Sequence, residues 1–325
     1  MSQSARPDVS VIISTRNRAD SLRTTLESLT AADRSGIAVE IVVVDNGGDD
    51  DTEGVASSFG RRIPVTFVRE PMVGKCHALN RGVSEARGEI LAVLDDDMSV
   101  HDTWFQAVLD VCRRHPDKEI FGGTIRVAWP VADVPAWARN QGIRSEIFSA
   151  AGFSSESDLE GGQWFSGNHF WFRSRVWGRG VRFDDLWITE GKFQLDLIEM
   201  GCRGLSCPGA IADHRVQREL LRPDVVIGRA RRVGIGFAQL RLQPYRPHVR
   251  SARMMHEHPL LSRAYCLGRH VLGRLRYAIS LLYSLESDRF ADRVIGIMWM
   301  TAGVEYLRVA NQLEEYSIWK RHRAV

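Results

Sequence analysis

Cysteine and long apolar runs are both scarce in this chain of 325 residues. Its five cysteines are scattered and include no C-x-x-C pair, which argues against a zinc site or a disulfide framework and favours a reducing compartment. No uncharged apolar stretch approaches the roughly 20 residues that a membrane-spanning helix needs, and the first residues lack the apolar core of a secretory signal. We therefore expect a cytoplasmic protein without a transmembrane span.

Charge is distributed unevenly along the chain. Residues 1–214 contain 31 acidic and 23 basic side chains, a net charge of −8, whereas residues 215–325 contain 9 and 20, a net charge of +11. A basic C-terminal region predicts an anionic partner, such as a membrane surface, a phosphate-bearing acceptor or nucleic acid. The alternative is that the arginines lie on helix faces that only meet solvent, and the sequence leaves both open.

Apolar runs alternate with amphipathic segments in the first third of the chain. The runs at 9–14, 40–44, 65–68 and 90–93 predict strands, and helical spacing predicts helices from about 20, over 75–86 and from about 103. This alternation predicts an α/β fold with a mainly parallel sheet flanked by helices. Polar clusters follow three strands, at 15–17, 45–46 and 95–97. In such sheets ligands bind beyond the carboxyl ends of the strands, so we expect these clusters to share one edge.

Three consecutive carboxylates, Asp95, Asp96 and Asp97, follow the last of these strands directly. Three like charges in a row repel one another unless they lie in water or around a cation. A hard divalent cation such as Mg²⁺ or Mn²⁺ takes oxygen ligands and commonly bridges to substrate phosphates. The alternative is a solvated turn or helix N-cap, both of which suit aspartate.

The later part of the chain has a different character. Tryptophan is dense between about 120 and 215, which suits both core packing and a cleft for a polar ligand. From about 220 the chain is predicted to be mostly helical, with two apolar stripes that would pack on the body of the protein, on a second chain or at a membrane surface. The stripes are Val271, Leu272, Leu275, Ile279 and Leu282, and Phe290, Val294, Ile297, Met298 and Thr301.

Together these motifs resemble the family 2 glycosyltransferases, whose nucleotide-sugar-binding fold is called GT-A. The matching stretches are 9–18, 42–46, 74–82 and 86–97, with a weaker match from Ser166 to His214. The resemblance implies a Rossmann-like GT-A domain over 1–215, followed by a basic, mostly helical region over 216–325. It also implies that Asp97 binds Mn²⁺ or Mg²⁺ and that His214 reaches the metal or the diphosphate.

The resemblance implies further roles at the matched positions. Asp45 would hydrogen-bond the nucleotide base, Lys75 would lie near the diphosphate or ribose, and Asp95 would face the ribose. Trp164 and Asn168 would lie between donor and acceptor, where a ring could stack on a sugar and an amide could bind one. The remaining residues expected to bind the nucleotide sugar are Ser14, Thr15, Arg16 and Asp96.

The catalytic base is where this chain departs from the family's pattern. Relatives carry an aspartate at the start of a helix, and a glycine follows eleven residues later. Matching the letters of Thr189 and Glu190 leaves Gly191 in the base position, whereas matching the spacing to Gly201 places Glu190 there. We favour the spacing, because glutamate can perform the same proton transfer. The fallback candidates are Asp184 and Asp185, and Glu190 could instead only cap the helix.

The predicted function is a metal-dependent, inverting transfer of a sugar from a nucleotide-diphosphate sugar, with UDP or dTDP favoured, to an acceptor hydroxyl. The acceptor would be a saccharide, a lipid-linked sugar or a small molecule. Expected partners besides the donor and acceptor are the inner membrane face, through the basic C-terminal helices, and a second copy of the chain; no nucleic acid is expected. The alternatives are a sugar nucleotidyltransferase and a non-catalytic protein that binds sugar nucleotides. The first is disfavoured because residues 14–18 contain no glycine for a triphosphate loop.

Overall fold

A computed structural model describes residues 6–159, 163–184, 189–241, 268, 271–272, 290–302 and 304. The chain divides into two compact units. One comprises residues 1–128, 149–185 and 189–216, and the other comprises 129–148, 186–188 and 217–325. The predicted boundary between residues 215 and 216 stays a prediction, and the site described below lies within the first unit.

The first unit is built on an eight-stranded sheet with the order β3-β2-β1-β4-β7-β6-β8-β5. Four of its seven strand pairings are parallel, so the predicted mainly parallel α/β sheet is confirmed. The strands are β1 (Val9–Thr15), β2 (Val39–Asp45), β3 (Val65–Arg69), β4 (Ile90–Leu94), β5 (Met98–Val100), β6 (Ile120–Ala128), β7 (His169–Arg173) and β8 (Gly204–Arg215).

Helices cover both faces of this sheet and also occur in the second unit. The predicted helices near 20, 75 and 103 are present as α1, α3 and α4, while α2 escaped the sequence analysis. The α-helices are α1 (Ala19–Ala31), α2 (Thr52–Phe59), α3 (Lys75–Glu85), α4 (Trp104–Arg114), α5 (Gln141–Glu146), α6 (Thr189–Glu199) and α7 (Pro223–Arg241). Short 3₁₀ helices span Ala136–Arg139, Ser174–Arg179 and Arg218–Leu221.

Alternating side chains of the central strands build two hydrophobic layers. Val11 and Ile13 pack in the layer that includes residues of α1, α2 and α4, whereas Ile12 packs in the layer with α3 and α6. All three side chains are fully buried. Because a strand exposes successive side chains to opposite faces, this continuous apolar run is what a sheet covered on both sides requires.

In the second unit, residues 290–302 are helical, and the predicted stripe there is buried at Phe290, Val294, Ile297 and Met298. Phe290 packs edge-on against Trp137 with ring centroids 5.0 Å apart. The other predicted stripe is described only at Val271 and Leu272, which are exposed, and its remaining positions lie outside the described residues. Within the described part of the chain, no helix combines the length and apolar character needed to cross a bilayer.

Candidate active site

A pocket of about 220 Å³ opens at the carboxyl edge of the sheet, beyond the ends of β1, β2 and β4. The parallel pairing of β1 with both β2 and β4 brings these three strand ends together. Six of the predicted site residues line the pocket, joined by two that were not predicted, Arg18 and Asn46. The lining residues are Ser14, Thr15, Arg16, Arg18, Asn46, Lys75, Asp95 and Asp96.

Asp96 is buried in the wall of this pocket. Thr15 Oγ1 donates to its Oδ2 at 2.6 Å, and Arg18 Nη1 lies 3.0 Å from its Oδ1. Burial raises the pKa of the Asp96 carboxyl to about 6, against the opposing effects of Arg18 and Thr15. The backbone oxygen of Asp96 also accepts hydrogen bonds from Thr25 Oγ1 and Arg215 Nη2. These contacts hold the loop after β4 in place, and the predicted contact of Asp96 with the nucleotide sugar stays a prediction.

Asp97 lies between an arginine and a histidine. Its Oδ2 accepts a hydrogen bond from Arg18 Nη2 at 2.9 Å and lies 3.6 Å from His214 Nε2. Pairing of β5 with β8 places His214 opposite Met98 and so next to Asp97. Burial acts to raise the pKa of Asp97, but His214 and Arg18 outweigh it and hold that pKa well below its usual range. Asp97 is therefore an ionised carboxylate at neutral pH.

One oxygen of this carboxylate lacks a partner. Asp97 Oδ1 is buried, and no described residue forms a hydrogen bond with it. A buried acceptor without a partner is costly, which makes a missing ligand a physical explanation for its orientation.

The donor set fits a divalent cation only in combination with a substrate. Within the described ranges, no group of three or more His, Cys, Asp or Glu side chains could hold a metal ion. Asp97 and His214 supply a carboxylate oxygen and an imidazole nitrogen. Mg²⁺ is typically held by one or two carboxylates together with water and substrate phosphates, and carboxylates also suit Mn²⁺. Two protein ligands are thus compatible with a cation that also coordinates a bound phosphate.

Lys75 bridges two carboxylates on the other side of the pocket. Its Nζ lies 2.7 Å from Asp95 Oδ1 and 2.5 Å from Glu190 Oε1. Burial acts to lower the pKa of Lys75, but the charges of Asp95 and Glu190 outweigh it and raise that pKa. Burial raises the pKa of Asp95 against the effect of Lys75. The lysine follows Gly74, whose φ of 149° disfavours other residues at this turn into α3.

Glu190 lies in the first turn of α6 and is only 6% exposed. A Cβ atom at Gly167 would lie 2.7 Å from Glu190 Cδ, so a side chain at that position would displace the carboxylate. Gly201, with a φ of 85°, follows the C-terminal end of α6. The spacing argument therefore identifies a residue whose carboxylate contacts Lys75, although its role as a base stays a proposal.

The other carboxylates near α6 have different surroundings. Lys192 Nζ lies 3.2 Å from Asp184 Oδ2 and 2.6 Å from Asp196 Oδ2. These side chains line a separate groove along α6 and are absent from the lining of the pocket at the sheet edge. Asp185, the other fallback candidate, lies outside the described residues.

Asp45 and Asn46 shape the loops at the end of β2. Asp45 is buried, and its Oδ1 accepts a hydrogen bond from the backbone N–H of Gly48 at 2.9 Å. Asn46 donates to the backbone oxygen of Met72 and accepts from the N–H of Gly74, each at 2.8 Å. Asn46 therefore stabilises the loop that precedes Lys75. This role could not be predicted from the position of Asn46 directly after β2.

Trp164 and Asn168 lie outside the pocket lining. Asn168 is buried, its Oδ1 accepts from Ser166 Oγ at 2.7 Å, and its backbone oxygen accepts from the N–H of Asp95. Trp164 is half-buried. In this conformation Asn168 supports the loop that carries Asp95, and the predicted sugar-binding roles of both residues stay proposals.

Two solved structures share this architecture. The mannosyltransferase PcManGT from Pyrobaculum calidifontis, in complex with GDP-Man and Mn²⁺, matches 94% of this chain and 88% of its own, with a TM-score of 0.63 and 19% sequence identity. TarS 1–349 from S. aureus, in complex with UDP-GlcNAc, matches 93% of this chain and 92% of its own, with a TM-score of 0.53 and 14% identity. The protein has the GT-A fold, as predicted.

The family model agrees with the predicted resemblance. Residues 10–135 match the model of Glycosyl transferase family 2, so the resemblance predicted from the motifs is confirmed over this stretch. Glycosyltransferase AglE of Haloferax volcanii is 30% identical over 129 residues, or 39% of this chain and 42% of that protein. Glucosyl-dolichyl phosphate glucuronosyltransferase of the same organism is 28% identical over 131 residues, 37% and 39% of the two chains. The chain thus spans about two fifths of the length of these relatives.

Proposed function

We propose that this protein is a metal-dependent, inverting glycosyltransferase that uses a nucleotide-diphosphate sugar. The observation that carries this proposal is the arrangement of Asp97, Lys75 and Glu190 around one sheet edge. It combines a carboxylate with an oxygen free to accept a metal, a cation for phosphate and a buried carboxylate for proton transfer. The match to glycosyl transferase family 2 supports the same reaction class.

Asp97 and His214 would hold the metal ion, Mn²⁺ or Mg²⁺. When bound, a divalent cation offsets the negative charge that develops on a leaving nucleoside diphosphate. Lys75 adds a fixed positive charge at the same edge. Asp95, paired with Lys75, would face the ribose, and Ser14, Thr15 and Arg16 would surround the base.

Glu190 would act as the general base. The acceptor oxygen forms a bond to the anomeric carbon while the bond between that carbon and the phosphate oxygen breaks. The hydroxyl proton moves to a carboxylate oxygen of Glu190, and the bonding electrons leave with the diphosphate. A single displacement of this kind inverts the anomeric configuration. Gly167 leaves room for the Glu190 side chain, because a Cβ atom there would lie 2.7 Å from Glu190 Cδ.

The donor is proposed to carry uracil or thymine. Asp45, at the end of β2, has a carboxylate that can accept a hydrogen bond from the imide N–H of these bases. One of its oxygens already accepts a hydrogen bond from the N–H of Gly48. GDP-sugars belong in the same test, because the solved structure of PcManGT contains GDP-Man. A lipid-linked saccharide is the proposed acceptor. The net charge of +11 over residues 215–325 supports it, and a relative's name refers to glucosyl-dolichyl phosphate.

Turnover of a donor panel tests the proposal. UDP-, dTDP- and GDP-sugars would each be incubated with Mn²⁺ or with EDTA, with water, simple saccharides and lipid-linked saccharides as acceptors, and the released nucleoside diphosphate measured. We expect one donor class to be consumed with Mn²⁺ and spared with EDTA, with inverted product configuration by NMR. Release of pyrophosphate from a nucleoside triphosphate would instead identify a nucleotidyltransferase. Tight binding without turnover would identify a non-catalytic protein.

A further inference from the structure

Arg18 contacts Asp97, the carboxylate that is proposed to bind the metal ion. Its Nη2 is 2.9 Å from Asp97 Oδ2, and its Nη1 is 3.0 Å from Asp96 Oδ1, so one guanidinium spans two neighbouring carboxylates. Arg18 immediately precedes α1, and its own side chain forms no capping hydrogen bond to the helix. The arginine is thus the resident counter-charge of Asp96 and Asp97, although sequence motifs alone assign it no role.

The contacts leave room for exchange between the arginine and a metal ion. The Arg18 side chain is 32% exposed, whereas that of Asp97 is 15% exposed. The guanidinium is therefore in contact with solvent, whereas the carboxylate is mostly buried. Asp97 Oδ1 remains buried without a hydrogen-bond partner in the described part of the chain, so Arg18 satisfies only one of the two oxygens.

Electrostatics set the direction of the effect. A guanidinium bound to Asp97 repels a divalent cation that approaches the same carboxylate, and it competes for Oδ2. Removal of the guanidinium takes away this repulsion and frees Oδ2 of the Asp97 carboxylate, so Mn²⁺ should bind more tightly. The opposite role is also chemically reasonable, because a hydrogen bond from an outer residue can orient a metal-binding carboxylate and strengthen metal binding.

We propose that Arg18 is a built-in competitor of the metal ion, which neutralises Asp96 and Asp97 in the metal-free protein and keeps its affinity for the metal low. Metal binding then depends on the oxygen ligands that a diphosphate contributes. This inference rests on the metal site of the proposed function, but it concerns the protein before any donor binds.

The test is Mn²⁺ binding by nucleotide-free protein, measured by electron paramagnetic resonance of free Mn²⁺ after EDTA treatment and dialysis. R18M should bind Mn²⁺ at least about tenfold more tightly than the wild type, because one repulsive charge and one competitor are gone. R18K keeps the charge and should stay within about threefold of the wild type. R23M removes an exposed arginine from the same helix and should leave Mn²⁺ affinity unchanged.

Two further variants keep the result interpretable. The double variant R18M/D97N should lose the gain, which shows that the tighter binding occurs at Asp97. Circular dichroism and thermal melting establish whether R18M is folded. If it is not, R18K supplies the comparison. An R18K protein that bound Mn²⁺ tenfold more weakly than the wild type would contradict competition. Equal or weaker Mn²⁺ binding by folded R18M would overturn the proposal and assign Arg18 an orienting role. A protein that binds Mn²⁺ as described but transfers no sugar would contradict only the proposed function.

Discussion

On each side of the pocket a basic side chain bridges two carboxylates, but the two bridges connect different parts of the chain. On one side Arg18 bridges Asp96 and Asp97, and on the other Lys75 bridges Asp95 and Glu190. Both carboxylates of the arginine side belong to the loop after β4. The lysine side instead connects that loop to α6, much later in the chain.

This difference separates two chemical tasks. The arginine side contains Asp97 and His214, the candidate metal ligands. The lysine side connects the loop next to the donor to the candidate base, so a change at Lys75 reaches both halves of the reaction. We therefore expect substitutions on the arginine side to alter metal binding, and those on the lysine side to alter proton transfer.

The largest effect is expected from D97N. Asparagine keeps the size of the side chain but removes the charge that a divalent cation requires. Sugar transfer should fall by on the order of 10³-fold, and Mn²⁺ affinity should fall with it. D213N is a matched control, because Asp213 adjoins His214 in sequence but pairs with His101 at 3.2 Å. Full activity in D97N with Mn²⁺ would contradict the assignment of the metal ligand.

E190Q should have the next largest effect. The amide has the shape of the carboxylate but is not a base, so we expect transfer to fall by about 10²- to 10³-fold with little change in nucleotide affinity. D184N tests the fallback candidate in the same assay and should keep nearly wild-type activity, because Asp184 pairs with Lys192 in the groove along α6. The base assignment is wrong if D184N is the variant that loses transfer.

K75M should lower transfer by about tenfold or more, since it removes a charge near the diphosphate and the partner of Glu190. A double-variant cycle separates these roles. If Lys75 acts through Glu190, the added loss caused by E190Q will be smaller in the K75M protein than in the wild type. Independent, additive losses would show that the two residues act separately and would remove the contrast between the two sides.

Many elements in the first hundred residues are predictable, because each is marked by its own short stretch of sequence. The strands that end at Asp45 and Asp95 are apolar runs followed at once by polar residues, so their sequence marks both the strand and the sheet edge. The helix α2 was not predicted because its small and polar residues, among them Gly54 and Ser57, outnumber the large apolar side chains Val55 and Phe59. The short strand β5 directly follows the aspartates and, among the residues that the structure describes, pairs only with the distant β8.

The other half of the sheet depends on contacts between distant residues. A Cβ atom at Gly122 would lie 2.1 Å from the ring of Phe165, and one at Gly123 would lie 2.2 Å from the ring of His169. These glycines make room for large side chains that lie in β7 or just before it, so the pattern looks irregular in the sequence. Likewise, Arg18 and Asp97 are 79 positions apart, and only the folded sheet brings them together.

The smallest expected effect concerns the pH dependence of folding stability. His169 on β7 is fully buried opposite Leu94, its Nε2 accepts from Trp104 Nε1 at 2.7 Å, and burial lowers its pKa to about 3. Between pH 3 and its usual pKa of about 6.5, the unfolded chain binds this proton and the folded protein does not, so stability falls as pH falls through that window.

Comparison of the wild type with H169Q measures this contribution. From pH 7.5 to pH 5 the wild type should lose about 2 kcal/mol of unfolding free energy more than the variant, as judged by urea denaturation at each pH. Glutamine retains an acceptor for the Trp104 N–H but does not titrate. Parallel pH profiles for the two proteins would show that His169 is not kept neutral by burial.

The most direct test of the account is calorimetric titration of the protein with UDP, dTDP and GDP, each with Mn²⁺ or with EDTA. The account predicts that one of these nucleoside diphosphates binds with Mn²⁺, that EDTA abolishes or strongly weakens this binding, and that D97N behaves with Mn²⁺ as the wild type does with EDTA. Two results would contradict a metal-assisted nucleotide-sugar site at this sheet edge. One is binding of equal strength by the wild type with Mn²⁺, the wild type with EDTA and D97N with Mn²⁺, and the other is no binding of any of the three nucleoside diphosphates.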